Sequence, residues 1–329
     1  GGVKGTIGEY SLSAIGPGPR ATRHWAWARE AGLKTMAKIQ AGTSWELGSV
    51  PYIPAVENVA QHVANLRDAE VDGLMMSWTL GGYPSPNLEV ATEMGRVSKP
   101  SVEAALRTVA TRRFGEKAAP AVTAAWKGYS AALREYPFTV RVLYNSPIHL
   151  GPANLLWAKP TTYRGPGTMA FAYPFDDLKT WRGPYPPEVF ATQFETVARG
   201  FRETLSALKK ALGEESSPAL VLEMGVAEAC SIHFQSIANQ SRFVMVRDTL
   251  AEAKNAAEAK KSIDALDGLL HDEIALAVRL RALQSHDSRL GFEAACQYFY
   301  VATDLGEKVI NCQDILARWI PAQRTAWKE

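Results

Sequence analysis

Two glutamates have the positions and neighbours that acid–base chemistry would use. Glu46 follows an apolar run by a few residues and lies next to Trp45. Glu9 shares one face of a predicted strand with two serines, so its carboxylate could point into a polar interior. Two carboxyl groups can act together as a general acid and as a base or nucleophile. We therefore name Glu46 as the first catalytic candidate and Glu9 as the second.

Both glutamates also have a structural interpretation. The run Thr43-Ser44-Trp45-Glu46 fits Ser/Thr-x-x-Glu, the capping box of a helix N-terminus. A carboxylate at Glu9 would need a partner if it were buried, and Lys38 on the neighbouring predicted strand could provide it. The sequence leaves these alternatives open.

Amide and aromatic side chains accompany the two glutamates on predicted loops. Gln40, Tyr83 and Asn87 offer hydrogen-bond donors and acceptors, while Trp45 and Trp78 could stack on the apolar face of a sugar ring. This mixture suits a carbohydrate pocket, although Trp78 could equally be packing at the end of a buried strand. The substrate-binding candidates here are Lys38, Gln40, Trp45, Trp78, Tyr83 and Asn87.

A polar stretch at residues 287–294 interrupts the last predicted helices. It carries Arg289 and Glu293 close to two tyrosines, and both are further substrate-binding candidates. The stretch could be an internal network of ion pairs, or a loop that reaches over the substrate site. Three histidines, His233, His271 and His286, lack nucleophile or metal partners in the sequence, which favours solvent-facing or capping roles.

Composition excludes several classes of protein. The net charge is +2 and the 36 basic residues are scattered, whereas nucleic-acid binding needs a basic patch. No apolar run is long enough for a membrane span. The three cysteines are odd in number and lack metal-ligand spacing, so no metal or cofactor is predicted. Unpaired cysteines and the lack of a visible signal peptide favour the cytoplasm only slightly, because the chain has no initiator Met and looks like a piece of a longer protein.

The elements that must position these residues alternate at the start of the chain. Strands are predicted over residues 6–15, 33–40 and 74–76, with amphipathic helices over 20–31 and 54–69 between them. Two consecutive βαβ units indicate a parallel sheet with right-handed crossovers. In barrels built this way the active site lies at the carboxyl ends of the strands, where most of the candidates fall.

The pattern changes to helices downstream. Helices are predicted over 101–114 and 118–135, one short strand over 139–144, and long helices over 187–212, 218–255, 258–284 and 303–319. The predicted fold class is α/β, with the last strands of a partial (β/α) TIM-type barrel followed by a mostly α-helical domain. The predicted divisions are residues 1–98, 99–186 and 187–329.

Two groups of residues carry a resemblance to a known class of protein. The segments Lys38-Ile39-Gln40 through Trp45-Glu46 and Gly73 through Asn87 resemble the last strands of sugar-cleaving (β/α)8 barrels. The run Arg113-Phe114-Gly115, with Ala118-Ala119 and Ala125-Trp126, resembles the helical domain that follows the barrel in alpha-glucuronidases, alpha-N-acetylglucosaminidases and hexosaminidase-type glycosidases. The resemblance implies the C-terminal part of a bacterial glycosidase-like protein. The start of the chain departs from such barrels, because the fourth strand that often carries a catalytic carboxylate would precede it.

The expected function is therefore that of a glycoside hydrolase with a carboxylate mechanism. The alternative is a non-catalytic carbohydrate-binding or helical interaction module. A glycan is the expected partner, with no nucleic acid and no membrane. The free edge of the first predicted strand also implies an upstream barrel half or an oligomer. Trp126 is predicted to be core, on one helical face with Val122, Tyr129 and Leu133.

Overall fold

The chain is mostly helical, so the predicted fold class is wrong. The computed structural model describes residues 2–7, 11–76, 83–160, 176–293 and 297–327, with only the backbone of Glu293 and Gln297. Of the described residues, 66% are helical and 4% are in strands. The described residues form one parallel pair of strands and one antiparallel pair, which do not amount to part of a barrel.

Eleven α-helices lie within the described residues. They are α1 (Pro19–Glu30), α2 (Val56–Asp68), α3 (Pro86–Met94), α4 (Val102–Leu133), α5 (Val140–Asn145), α6 (Leu178–Trp181), α7 (Pro187–Leu212), α8 (Pro218–Ala251), α9 (Ala256–His286), α10 (Ala302–Asp314) and α11 (Ile320–Ala326). A 3-10 turn, Gly151–Ala153, precedes α6, and a π-helical turn, Ile315–Trp319, joins α10 to α11. The four strands are β1 (Met36–Ile39), β2 (Gly73–Met76), β3 (Phe292–Glu293) and β4 (Gln297–Tyr298).

One predicted βαβ unit is present. Strands β1 and β2 pair in parallel with Met36 opposite Gly73 and Ile39 opposite Met76, and α2 is the crossover between them. The sequence predicted both strands and their direction, although β1 is shorter than the predicted 33–40. Ala37 and Ile39 are buried on one face, whereas Met36 and Met75 are exposed on the other.

The described residues of the first predicted strand do not form a strand. None of the described residues among 6–15 pairs with a strand, and residues 12–14 form a bend instead. The backbone N–H groups of Leu12 and Ser13 donate to the carboxylate of Glu46, so they are not available to a ladder. The alternating pattern was therefore misleading for residues 6–7 and 11–15, and these residues present no free strand edge.

One prediction in the middle of the chain needs correction, and the one before it is confirmed. Residues 139–144 were predicted as a strand from their β-branched side chains, but Val140–Asn145 is helix α5. Thr139 caps this helix, because its side-chain oxygen accepts from the Val142 N–H. The two helices predicted on either side of Gly115 are confirmed, because the range given as α4 consists of two helical segments separated by the non-helical backbone of Gly115, whose φ is 84°.

A single large core joins the strands to the helices. It contains buried apolar residues from Leu12 to Leu305 and so draws on all three predicted divisions, whose boundaries stay a prediction. Trp126 is fully buried in this core together with its predicted neighbours, which confirms that prediction. A second, smaller cluster lies among α8, α9, α10 and α11. Within the described part of the chain, no helix has both the length and the apolar character needed to cross a membrane.

Candidate functional site

A cavity of about 900 Å³ lies between the start of the chain and the parallel strands. Its size is in the range of small-molecule sites. Its walls are the loop formed by residues 11–18, here called the N-terminal loop, the first two turns of α1, strand β1 and one face of α2. Its polar and aromatic lining consists of Ser11, Arg20, His24, Trp25, Lys38 and His62.

Glu46, the first catalytic candidate, holds the N-terminal loop in place. Its carboxylate accepts hydrogen bonds from the Ser11 hydroxyl at 2.6 Å and from the backbone N–H groups of Leu12 at 3.0 Å and Ser13 at 2.8 Å. The Ser44 hydroxyl also donates to it. The side chain has no solvent exposure. The structure thus places Glu46 behind the cavity wall, with both carboxylate oxygens occupied.

Helix α2 fixes the same loop from the other side. The Asn58 side-chain amide donates to the Leu12 carbonyl at 3.1 Å, and the Asn65 amide donates to the Gly16 carbonyl at 2.7 Å. His62 packs against the loop so closely that a Cβ at position 16 would lie 2.7 Å from its Nε2. The loop is therefore a fixed wall, although it contains no regular secondary structure.

The cavity lining combines one indole with uncharged and basic groups. Trp25 is oriented by the hydrogen bond from its Nε1 to the Met36 carbonyl at 3.1 Å. Burial lowers the pKa of His62 to about 4, so its imidazole is neutral at pH 7 and can both donate and accept. Lys38 is half-buried, whereas Arg20 and His24 are exposed at the rim. None of the described lining residues carries a carboxylate.

The residues that follow β1 are buried polar groups and one aromatic pair. Gln40 is 2% exposed, and neither atom of its carboxamide has a hydrogen-bond partner among the described residues. The hydroxyl of Thr43 is also buried and has no hydrogen-bond partner in the part of the chain that the structure describes. Trp45 is half-buried against Tyr144, with ring centroids 5.4 Å apart.

The other described candidates form a second group. The Arg289 guanidinium lies 5.9 Å from the centroid of the Tyr83 ring, and it donates two hydrogen bonds to Asp287 at 2.8 and 2.7 Å. The stretch around Arg289 therefore both forms an ion pair and reaches the segment after β2. Asn87 is buried and donates to the Ile53 carbonyl at 2.8 Å. No contact among the described residues joins this group to the cavity.

Three candidates cannot be placed. Glu9 and Trp78 lie outside the described residues, and only the backbone of Glu293, in β3, is described. The predicted pocket shared by Trp78 with Gln40 or Trp45 therefore stays a prediction.

Sequence reasoning missed a buried carboxylate at the centre of the molecule. Glu223 on α8 accepts from the Tyr52 hydroxyl at 2.5 Å and from Nε1 of Trp126 at 2.7 Å. Burial raises the pKa of Glu223, while these two donors and the charges of Arg113 and Arg289 oppose that shift. The available signal was one glutamate within an apolar stretch of a helix. This site ties the loop after β1 to α4 and α8.

His233 is another residue that the sequence placed wrongly. It is fully buried, where a solvent-facing or capping role was predicted. Its Nδ1 donates to the Ile148 carbonyl at 2.9 Å, so its Nε2 accepts from the Tyr300 hydroxyl at 2.8 Å. His149 is equally buried, and it joins the Gly48 N–H to the Leu143 carbonyl. Burial lowers the pKa of both histidines to about 4.

Neither a metal nor a relative identifies the site. Where the chain is described, no three His, Cys, Asp or Glu side chains come together as metal ligands. The described cysteines, Cys230 and Cys312, are buried free thiols. Comparison with family models, curated proteins and solved structures gave no match.

Proposed function

We propose that this protein binds carbohydrate in the cavity between the N-terminal loop and β1. One observation carries the proposal: a cavity of about 900 Å³ with fixed walls holds an oriented indole beside a neutral imidazole and an ammonium group. An indole can stack on the apolar face of a sugar ring, while imidazole and ammonium groups hydrogen-bond to hydroxyls. Lys38, a substrate-binding candidate from the sequence, is in this lining.

Binding is better supported than hydrolysis. A glycosidase needs two carboxyl groups that flank the bond and can reach it. Glu46 is fully buried, and its oxygens accept hydrogen bonds from the N-terminal loop. The described lining of the cavity supplies no carboxylate to replace it. The proposed role of Glu46 is accordingly to position the cavity wall, which makes it a positioning residue for glycan binding.

Two tryptophans on α1 allow a matched test. Trp25 lines the cavity, whereas Trp27 is 56% exposed and does not. We expect saturation-transfer NMR with a panel of neutral and acidic oligosaccharides to show binding to wild type and to Trp27→Ala. The dissociation constant for the glycan should rise at least 10-fold in Trp25→Ala and in Lys38→Met. Thermal unfolding of each variant checks that it is folded.

The same samples separate binding from catalysis. We expect no release of reducing sugar from any glycan of the panel that wild type binds. Release that is lost in Glu46→Gln would favour the glycosidase instead. Absence of binding to the whole panel, or equal loss of binding in Trp25→Ala and Trp27→Ala, would refute the proposed site.

A further inference from the structure

A groove of about 470 Å³ lies between α9 and α10. Two large apolar side chains line it: Val278 of α9 is 55% exposed, and Ile310 of α10 is 67% exposed. Ala302 and Val309 add half-buried apolar surface to the same groove. Single exposed apolar side chains are normal on a protein surface, whereas several that line one groove indicate an interaction site. No described residue lines both this groove and the cavity beside β1.

A glycine within α10 opens the groove. Gly306 lines it, and glycine inside a helix costs free energy relative to alanine, because glycine loses more backbone freedom on folding. The packing within one copy of the protein does not require a glycine here, since a Cβ at this position would meet no atom of the described residues within 4 Å. The missing side chain instead leaves room for a second helix to come close to α10.

Two opposite charges line the groove without pairing with each other. Arg281 of α9 and Glu307 of α10 are both exposed, and neither forms an ion pair with a described residue. Contacts across a two-fold axis are reciprocal, so one unlike pair of residues in each copy gives two ion pairs in the dimer. A strongly acidic or basic partner would place a like charge against one of the two residues. The groove is therefore complementary in charge to a second copy of itself.

We propose that two copies of this protein associate through this groove, with α10 of each copy packed against α9 and α10 of the other. Arg281 of one copy pairs with Glu307 of the other, and Val278 and Ile310 are covered at the centre. Helix α10 is 13 residues and about 20 Å long. The contact is therefore at the small end of specific interfaces, and the dimer dissociates on dilution. This association does not depend on the proposed carbohydrate binding.

Sedimentation equilibrium of the whole chain measures the association. We expect a reversible monomer–dimer equilibrium between about 1 and 200 µM. Gly306→Gln should raise the dissociation constant about 10-fold or more, because its side chain takes the space that the second helix needs, without lowering the temperature of thermal unfolding. Gly268→Gln is the matched control, since Gly268 is an exposed glycine of α9 outside the groove and its substitution should leave the dimer unchanged.

Two results of this experiment would overturn the inference. One is a wild-type chain that stays monomeric at about 200 µM, which would leave the groove to a different partner. The other is an equal effect of Gly306→Gln and Gly268→Gln on the dissociation constant, because only Gly306 lines the groove.

Charge reversal tests the pairing of Arg281 with Glu307. Arg281→Glu and Glu307→Arg should each weaken the dimer about 10-fold or more, because each places like charges opposite each other across the axis. An equimolar mixture of the two variants should dimerise again, since each supplies the charge that the other lacks. Lys210→Glu makes the same change of charge at an exposed position of α7 and should leave the dimer intact. A mixture that stays monomeric, or a dimer weakened as much by Lys210→Glu as by Arg281→Glu, would refute the two-fold interface.

Discussion

At the scale of single residues, the number of hydrogen-bond donors around Glu46 separates a structural carboxylate from a catalytic one. Its two oxygens accept from two backbone N–H groups and two hydroxyls, and all of these groups are buried. A catalytic carboxylate must instead reach the bond that it cleaves. The same residue type at the same place in the sequence can serve either purpose, and only its contacts decide.

Substitution of Glu46 by Gln should loosen the N-terminal loop. One acceptor oxygen becomes an N–H₂ group that faces donors, so we expect a loss of about 2–3 kcal/mol in the free energy of unfolding. The amides of Leu12 and Ser13 should exchange faster with deuterium. Glu57→Gln on α2 is the control, because its weak pair with Arg134 at 3.6 Å should contribute less than about 1 kcal/mol. Unchanged exchange at Leu12 would contradict the positioning role of Glu46.

Substitution of Trp126 by Ala should be among the most destabilising single changes. The side chain is fully buried, and its loss should cost about 3–5 kcal/mol in urea denaturation. It also removes one of the two donors to Glu223, so Trp126→Phe should still cost about 1–3 kcal/mol. Trp27→Ala, at an exposed position, should change stability by less than about 1 kcal/mol. A loss under about 1 kcal/mol in Trp126→Ala would mean that this packing is wrong.

At the scale of elements, a buried ion pair joins α9 to α10. Lys308 donates to the Glu273 carboxylate at 2.8 Å and to the Asn154 carbonyl at 2.6 Å, and neither charged side chain is exposed. Glu273 also accepts from Ser236 and Asn239 of α8. A lone charge is costly in such an interior. The pair and its hydrogen bonds therefore specify how α8, α9 and α10 meet.

Removal of one partner of this ion pair should show the free-energy cost of leaving the other charge buried alone. Lys308→Met leaves Glu273 buried without its cation, so we expect a loss of about 3–5 kcal/mol by chemical denaturation. Adding Glu273→Gln removes the uncompensated charge and keeps a partner for Ser236, so the double variant should recover part of the loss. Lys260→Met, which breaks an exposed pair with Asp264, should cost less than about 1 kcal/mol. A double variant as unstable as the sum of both single changes would argue against the pair.

At the scale of the whole molecule, two buried neutral histidines connect distant parts of the chain. His149 links the segment after β1 to the end of α5, and His233 links α8 to the segments at Ile148 and Tyr300. Both are neutral when folded, because burial lowers the pKa of each to about 4. In the unfolded chain the pKa of histidine is about 6.5.

This difference predicts a loss of stability in mild acid. Between pH 6.5 and 4 the unfolded state binds more protons than the folded state, so stability is full above pH 6.5 and falls as the pH decreases. Each histidine should account for about 2 kcal/mol by pH 5. Urea denaturation at pH 7.5, 6 and 5 measures this decrease in the free energy of unfolding. The partly exposed His62 should contribute less to the decrease than either buried histidine. In His233→Gln the fall should be smaller by about 2 kcal/mol, and an unchanged pH dependence would contradict the buried neutral state.

The sequence by itself determined the elements whose signals are local. The helix predicted over 187–212 has the observed bounds of α7, and β1 and β2 were found with their parallel direction. Helical periodicity, proline at a helix start and short apolar runs are properties of neighbouring residues, so they can be read without the fold. The sequence also selected Lys38 as a ligand-binding candidate, and Lys38 lines the proposed cavity.

The tertiary structure decided everything that depends on partners far apart in the chain. Residues 12–14 form a bend because Glu46, more than 30 residues away, takes the N–H groups that a strand would use. Val140–Asn145 is a helix because its cap and packing outweigh β-branched propensity. Trp25 and His62 became candidates only when α1 and α2 were placed around one cavity. Whether a buried polar group such as Gln40 is paired depends on every element packed against it, and for that reason no local pattern could reveal it.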